Sequence, residues 1–179
     1  HANGGSASFS VMANTLRGVY GTDVLLATAN SFTGSVLQAN YNKKMADSMI
    51  MPNGLMSRQR TMTGAQLKEV VRAFVEGCEG GFVPFNRGSL PVVSGIAVEV
   101  KEASGSYTLT GITRNGQPLR DDDTVTVTCL AAEKQMEALL ASESGMSLDG
   151  DTWVKNRWRD HVSGGGAALA EPENYMTLR

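Results

Sequence analysis

The sequence predicts an α/β (α+β) fold, a mixed β-sheet with flanking helices, in one domain over residues 6–179. Three observations predict it. A doubly capped amphipathic helix follows an extended stretch at residues 62–74. Apolar runs of strand character recur at 24–27, 96–100, 107–112 and 124–129. An Asn115-Gly116 pair separates two of those runs in the manner of a tight hairpin. Helical and extended patterns interleave along 179 residues that are 41% hydrophobic, enough for a sizeable core.

Taken in order, residues 1–5 (His-Ala-Asn-Gly-Gly) read as a linker or cloning remnant. Residues 6–20 form a helix with Phe9, Met12, Leu16 and Val19 on one face, Ser6 or Ser8 as N-cap and Gly21 as stop. Val24-Leu25-Leu26-Ala27 is a short buried strand. The polar, glycine-containing loop 28–35 follows its carboxyl end, where open α/β sheets bind ligands. Residues 43–51 are Met-rich and helical, with Met45, Met49 and Met51 read as adaptable core filler rather than a ligand surface.

Thr63 and Gln66 make a capping box, and Met62 with Leu67 a hydrophobic staple. Leu67, Val70, Val71 and Phe74 then fall on one stripe, Lys68, Glu69 and Arg72 on the wet face, and Gly77 supplies the stop. The loop 82–88 carries Phe82 and Phe85, which either pin it to the core or line a cleft. At Ser94-Gly95 a turn or bulge precedes Ile96, Val98 and Val100, which alternate inward. Residues 131–140 have the spacing of an amphipathic helix, and 142–152 are irregular. Asp151 or Thr152 then caps a helix that presents Trp153, Val154, Trp158 and Val162 to the core.

Composition narrows the function classes. A formal net charge of −2 offers no electrostatic case for nucleic acid or an anionic membrane. No apolar run reaches the ~18 residues of a membrane span. Cys78 and Cys129 lack CxxC spacing, which leaves two thiols or one disulfide open. The only histidines are His1 and His161, too few for a two-metal centre. Asp121-Asp122-Asp123 lacks a calcium-loop pattern, and Gly164-Gly165-Gly166 lacks the Lys-Ser/Thr of a P-loop. Neither a Gly-x-Ser-x-Gly elbow nor a Cys–His pair is present, so catalysis by these residues alone is not expected.

Several of these stretches together resemble one family. Gly21-Thr22-Asp23 ahead of the first strand, Pro52-Asn53-Gly54 ahead of the strand that runs into Thr63-Gly64-Ala65-Gln66-Leu67-Lys68-Glu69-Val70, Val93-Ser94-Gly95-Ile96, and Asn115-Gly116-Gln117-Pro118-Leu119 resemble the C-terminal domain of the 5'-nucleotidase family (bacterial 5'-nucleotidase and 2',3'-cyclic phosphodiesterase type). The resemblance implies a domain that holds substrate, with a divalent metal pair on an N-terminal metallophosphoesterase domain upstream of His1, and no cofactor here. It further implies a nucleotide or another phosphate ester as ligand, and an extracellular, cell-wall-attached or periplasmic location.

Laid on this chain, the family's substrate loop corresponds to Asn30, Phe32 and Thr33, with Thr33 at the family's arginine position. The turn bearing one base-stacking ring corresponds to Asn53 and Gly54, and Asn53 has no ring. The arginines at the start of the family's first helix are replaced near Asn3 and Ser10. The second ring, in a Gly-Gly-Asp-Gly-Tyr loop, has no counterpart after residue 130; Trp153 could replace it. Other re-sited contacts would be Phe82 or Phe85 stacking and Arg58 or Arg60 clamping. The alternative is a degenerate, non-catalytic structural or ligand-binding module of a cell-surface protein.

Overall fold

The computed structural model describes residues 7–28, 31–32, 43–50, 55–76, 91–104, 106–132, 154–163, 169 and 175–179. Their elements run α1 (Ala7–Tyr20), β1 (Val24–Thr28), α2 (Lys43–Ser48), β2 (Leu55–Thr63), α3 (Gly64–Glu76), β3 (Pro91–Ser94), β4 (Ala97–Ala103), β5 (Ser106–Arg114), β6 (Gln117–Pro118), β7 (Thr124–Ala132), α4 (Val154–Ser163) and β8 (Met176–Leu178). The strands make two four-stranded sheets, β2-β7-β1-β3 and β6-β5-β4-β8, and both are mixed.

In the first sheet β1 and β7 run parallel at the centre, with Leu26 opposite Cys129. β3 and β2 flank them antiparallel, with Thr28 opposite Pro91 and Leu55 opposite Ala132. Every residue of β1 is buried, as a strand covered on both faces requires. α1 packs on β1 and β3, whereas α4 packs on α2, α1 and β2. α3 spans the two sheets by touching both β2 and β5. One hydrophobic core joins them, running from Met12, Leu16 and Leu25 through Phe74 to Val98, Ile112 and Met176.

The change of sheet happens at Gly95. Its φ of 83° is a left-handed conformation, and a Cβ there would stand 2.0 Å from the Asp23 carbonyl oxygen. Glycine alone fits, and the chain turns out of the first sheet into β4. The Asn115-Gly116 hairpin forms as its sequence predicts, with φ of 52° and 75° as the primed turn needs. Both halves of the capping box are made: Thr63 N donates to Gln66 Oε1 at 2.9 Å, and Gln66 N to Thr63 Oγ1 at 3.2 Å.

Two boundaries differ from the pattern. The helix predicted from residue 131 does not begin there, because Ala131 and Ala132 continue β7 opposite Met56 and Leu55. β2 is nine residues long, and its ladder is completed only if β7 extends as far. Residues 133–140, which were to carry the rest of that helix, lie outside the described residues, as does the irregular stretch 142–152. The helix expected over 43–51 ends at Ser48, since Ile50 leaves it to bridge antiparallel to Phe32.

Candidate functional site

Register brings one set of strand ends together. β1 and β7 finish, and β2 and β3 start, at the same edge of the first sheet, through Thr28, Ala132, Leu55 and Pro91. Carboxyl ends of adjacent parallel strands are where open α/β sheets hold ligands. Asn53 and Gly54 directly precede Leu55 in sequence, and Asn30 and Thr33 belong to the stretch that follows Thr28. Both pairs lie outside the described residues, as do Phe82, Phe85 and Trp153.

Phe32 is the one candidate whose surroundings are described. It is 2% exposed, and its ring lies 5.8 Å from that of Phe9 at an interplanar angle of 39°. Thr28 and Ser31 just before it are buried, and their hydroxyls meet at 3.3 Å. The ring therefore fastens this end of the loop to α1 through an aromatic pair. Of the arginines considered as clamps, Arg58 sits on β2 opposite Cys129 and Arg60 opposite Val127, both partly exposed.

The opposite edge of the same sheet carries a denser polar arrangement, which the sequence reading did not single out as a site. Asp23, just before β1, accepts Thr126 N at 2.8 Å and Thr126 Oγ1 at 2.9 Å on Oδ2. Arg114 Nη2, from the second sheet, reaches Oδ1 at 2.5 Å. The Thr126 amide, its hydroxyl and the Arg114 charge hold the Asp23 carboxyl below the usual carboxylate range against the opposing effect of burial. Arg17, in the last turn of α1, donates from Nε to Ser94 Oγ at 2.8 Å and from Nη1 to the Asp23 carbonyl at 3.4 Å. Ser94 Oγ in turn donates a hydrogen bond to Asn14 Oδ1. Of these groups Arg17, Asp23 and Arg114 border a cleft of about 510 Å³ between the sheets. Sequence signals existed for Asp23, Ser94 and the neighbouring Gly95 and Asn115-Gly116, through their family likeness, but none for Arg17 or Arg114.

Among the described residues neither edge offers a metal set: no three His, Cys, Asp or Glu side chains come together. Asp121 pairs with Lys68 at 2.7 Å, and Asp123 with Arg120 at 2.9 Å. His161 occupies the last turn of α4, half-buried. Cys129 is a free thiol sealed in β7, and burial pushes its pKa up to about 12, which leaves it unreactive at neutral pH. No helix among the described residues is long and apolar enough to cross a membrane.

No family model matches the sequence, and no curated protein matches it either. Solved structures do match, over almost the whole chain. A 5'-nucleotidase precursor from Thermus thermophilus aligns over 96% of this chain and 34% of its own, with 12% identity and a TM-score of 0.66. The NAD nucleotidase of Haemophilus influenzae aligns over 98% of this chain and 34% of its own, with 16% identity and a TM-score of 0.66. The sulfate thiohydrolase SoxB of Thermus thermophilus aligns over 97% and 32%, with 13% identity and a TM-score of 0.66. This chain thus spans about a third of the length of the structures it matches. Its fold is that of a 5'-nucleotidase C-terminal domain.

Proposed function

We propose that this chain is the substrate-binding C-terminal domain of a 5'-nucleotidase-like metallophosphoesterase. The observation that carries the reading is the coverage: nearly all of this chain aligns with a third of each nucleotidase. The remaining two thirds of such a protein would be a companion N-terminal domain with the divalent metal pair. On the companion domain such a pair would supply a metal-bound hydroxide and polarise the ester. The part left to this chain is to hold and orient the ligand at the carboxyl edge of β1, β7 and their neighbours. Asn30, Thr33, Asn53, Gly54 and Trp153 are the residues assigned to that task. Phe32 acts as a wall, keeping the loop against α1. An extracellular, cell-wall-attached or periplasmic location in a bacterium goes with this role.

A second reading, a degenerate module of a cell-surface protein with no chemistry, is favoured by one observation. Thr33 and Asn53 stand where the family has an arginine and a ring. Stacking a base on an aromatic contributes roughly 1–3 kcal/mol in nucleic-acid-binding proteins, so losing a ring weakens a base site unless another replaces it. The SoxB likeness adds that the fold also occurs in a protein described as a sulfate thiohydrolase, so fold does not fix substrate.

Calorimetric titration of the chain with adenosine, AMP, UMP and a sugar phosphate separates the readings. Nucleoside binding in the millimolar range or tighter, lost in Trp153→Ala, is the expected outcome. Heat from none of the four ligands would sink the nucleotide reading in favour of the second.

A further inference from the structure

We infer that the cleft at the amino edge of β1 is an anion site that takes a small oxyanion, phosphate or carboxylate, between Arg17 and Arg114. It lies at the opposite edge of the sheet from the strand ends assigned to substrate above, so it stands or falls independently of that assignment.

The first ground is unspent donor capacity. A guanidinium has five N–H donors. Arg17 uses two of them, both on neutral oxygens of Ser94 and Asp23; the Asp23 carboxylate feels its charge, but no carboxylate among the described residues forms an ion pair with it. Arg114 uses one, toward Asp23. The other N–H groups of both have no partner among the described residues, and both arginines line the same 510 Å³ cleft. Fork-shaped donors of this kind match the paired oxygens of a carboxylate or phosphate.

The second ground is charge. Arg17, Arg114 and Asp23 sum to one positive charge, and the Asp23 carboxylate is already occupied by Thr126 and Arg114. Asp123, the next carboxylate to feel Arg114, is held by Arg120 at 2.9 Å. Arg114 is 29% and Asp23 35% exposed at the side chain, so an ion between the guanidiniums is screened less than on an open surface. The third ground is orientation. Packing on Ser94 fixes the Arg17 side chain, and Gly95 keeps the cleft wall free of a side chain that would stand 3.1 Å from Arg17 Cδ. A cation serving only the carboxyl end of α1 would need neither the Ser94 bond nor a cleft in front of it.

The test is a titration of the 179-residue chain, followed by amide chemical shifts, with inorganic phosphate in one arm and succinate in the other. Arg17→Gln and Arg72→Gln remove the same charge, but Arg72 lies outside the cleft, paired with Glu69 and Glu76. Saturable binding of at least one anion is expected, with shifts centred on residues 113–116 and 94–97. Arg17→Gln should weaken it about tenfold or more and Arg72→Gln should leave it unchanged. The preferred arm distinguishes a phosphate from a carboxylate ligand. Absence of saturable binding to the unsubstituted chain overturns the inference, and so does equal weakening by the two variants.

Discussion

At the scale of single residues, Asp23 is the most constrained polar group described. Three donors converge on its carboxylate, one of them the backbone amide of Thr126, 103 positions away. The folded protein therefore holds the ionised form, and the carboxyl pKa lies below its value of 3.8 in a free chain. The sign follows from proton linkage: a group whose folded pKa is depressed stabilises above the unfolded value. That stabilisation is lost as pH falls through the folded value. Asp23→Asn should lower unfolding stability at pH 7 by about 1–2 kcal/mol, a figure reduced for partial exposure. The gap between the two proteins should begin to narrow as pH drops below about 4, where the carboxylate of the unfolded chain takes up its proton, and close as pH falls through the lower folded value. Urea melts from pH 7 down to the lowest pH at which both remain folded measure this. A gap that stays constant across that range would mean shape, and not charge, is what Asp23 contributes.

At the scale of elements, α3 is where local sequence and tertiary contact meet. Its cap is written entirely within Thr63–Gln66, so the sequence discloses it. Its start is also tied to the loop before β7: Gly64 N donates to the Asp123 carbonyl at 2.7 Å and Ala65 N to the Asp121 carbonyl at 3.1 Å. A Cβ on Gly64 would stand 1.9 Å from the Arg120 carbonyl oxygen. Helix propensity alone favours Gly64→Ala by about 1 kcal/mol. The backbone clash outweighs it, because neither partner is a flexible side-chain tip. Net destabilisation of about 2–4 kcal/mol is expected, against about 1 kcal/mol for Thr63→Ala, which loses only a cap. Denaturant melts of the two variants decide, and a more stable Gly64→Ala would refute the close approach. The same contrast explains what could be read in advance. The Asn115-Gly116 turn and the stripe Leu67, Val71, Phe74 depend on neighbours in sequence, and both were legible. The extension of β7 to Ala132 depends on the length of β2, and the Asp23–Arg114 pair spans 91 positions, so neither leaves a local pattern. Phe32 was placed in the substrate loop by resemblance, and nothing near it in sequence announced its contact with Phe9.

At the scale of the whole molecule, the question is whether two sheets make one folding unit. Three ties argue that they do. The hydrophobic core is continuous from Leu25 in one sheet to Val98 and Met176 in the other. α3 packs on both, with Leu67, Val71, Phe74 and Val75 buried. The Arg114–Asp23 pair and the Gly95 crossing join them at one edge. Neither sheet could part from the other without exposing Phe74 and its neighbours to water, at roughly 25 cal/mol for each Å² of apolar surface. A single cooperative transition is therefore expected. Tryptophan emission in a Trp153→Phe background, from Trp158 fully buried on α4, reports on the surroundings of α4 and the first sheet. Amide exchange in β4 and β5 reports on the second. Both should give the same unfolding free energy in urea, and Arg114→Gln should lower the two readings together. If β4 and β5 exchange at a lower free energy than the fluorescence transition, the second sheet opens on its own. The cleft between the sheets would then be a moving joint, and its two arginines would be brought together only when that joint is closed.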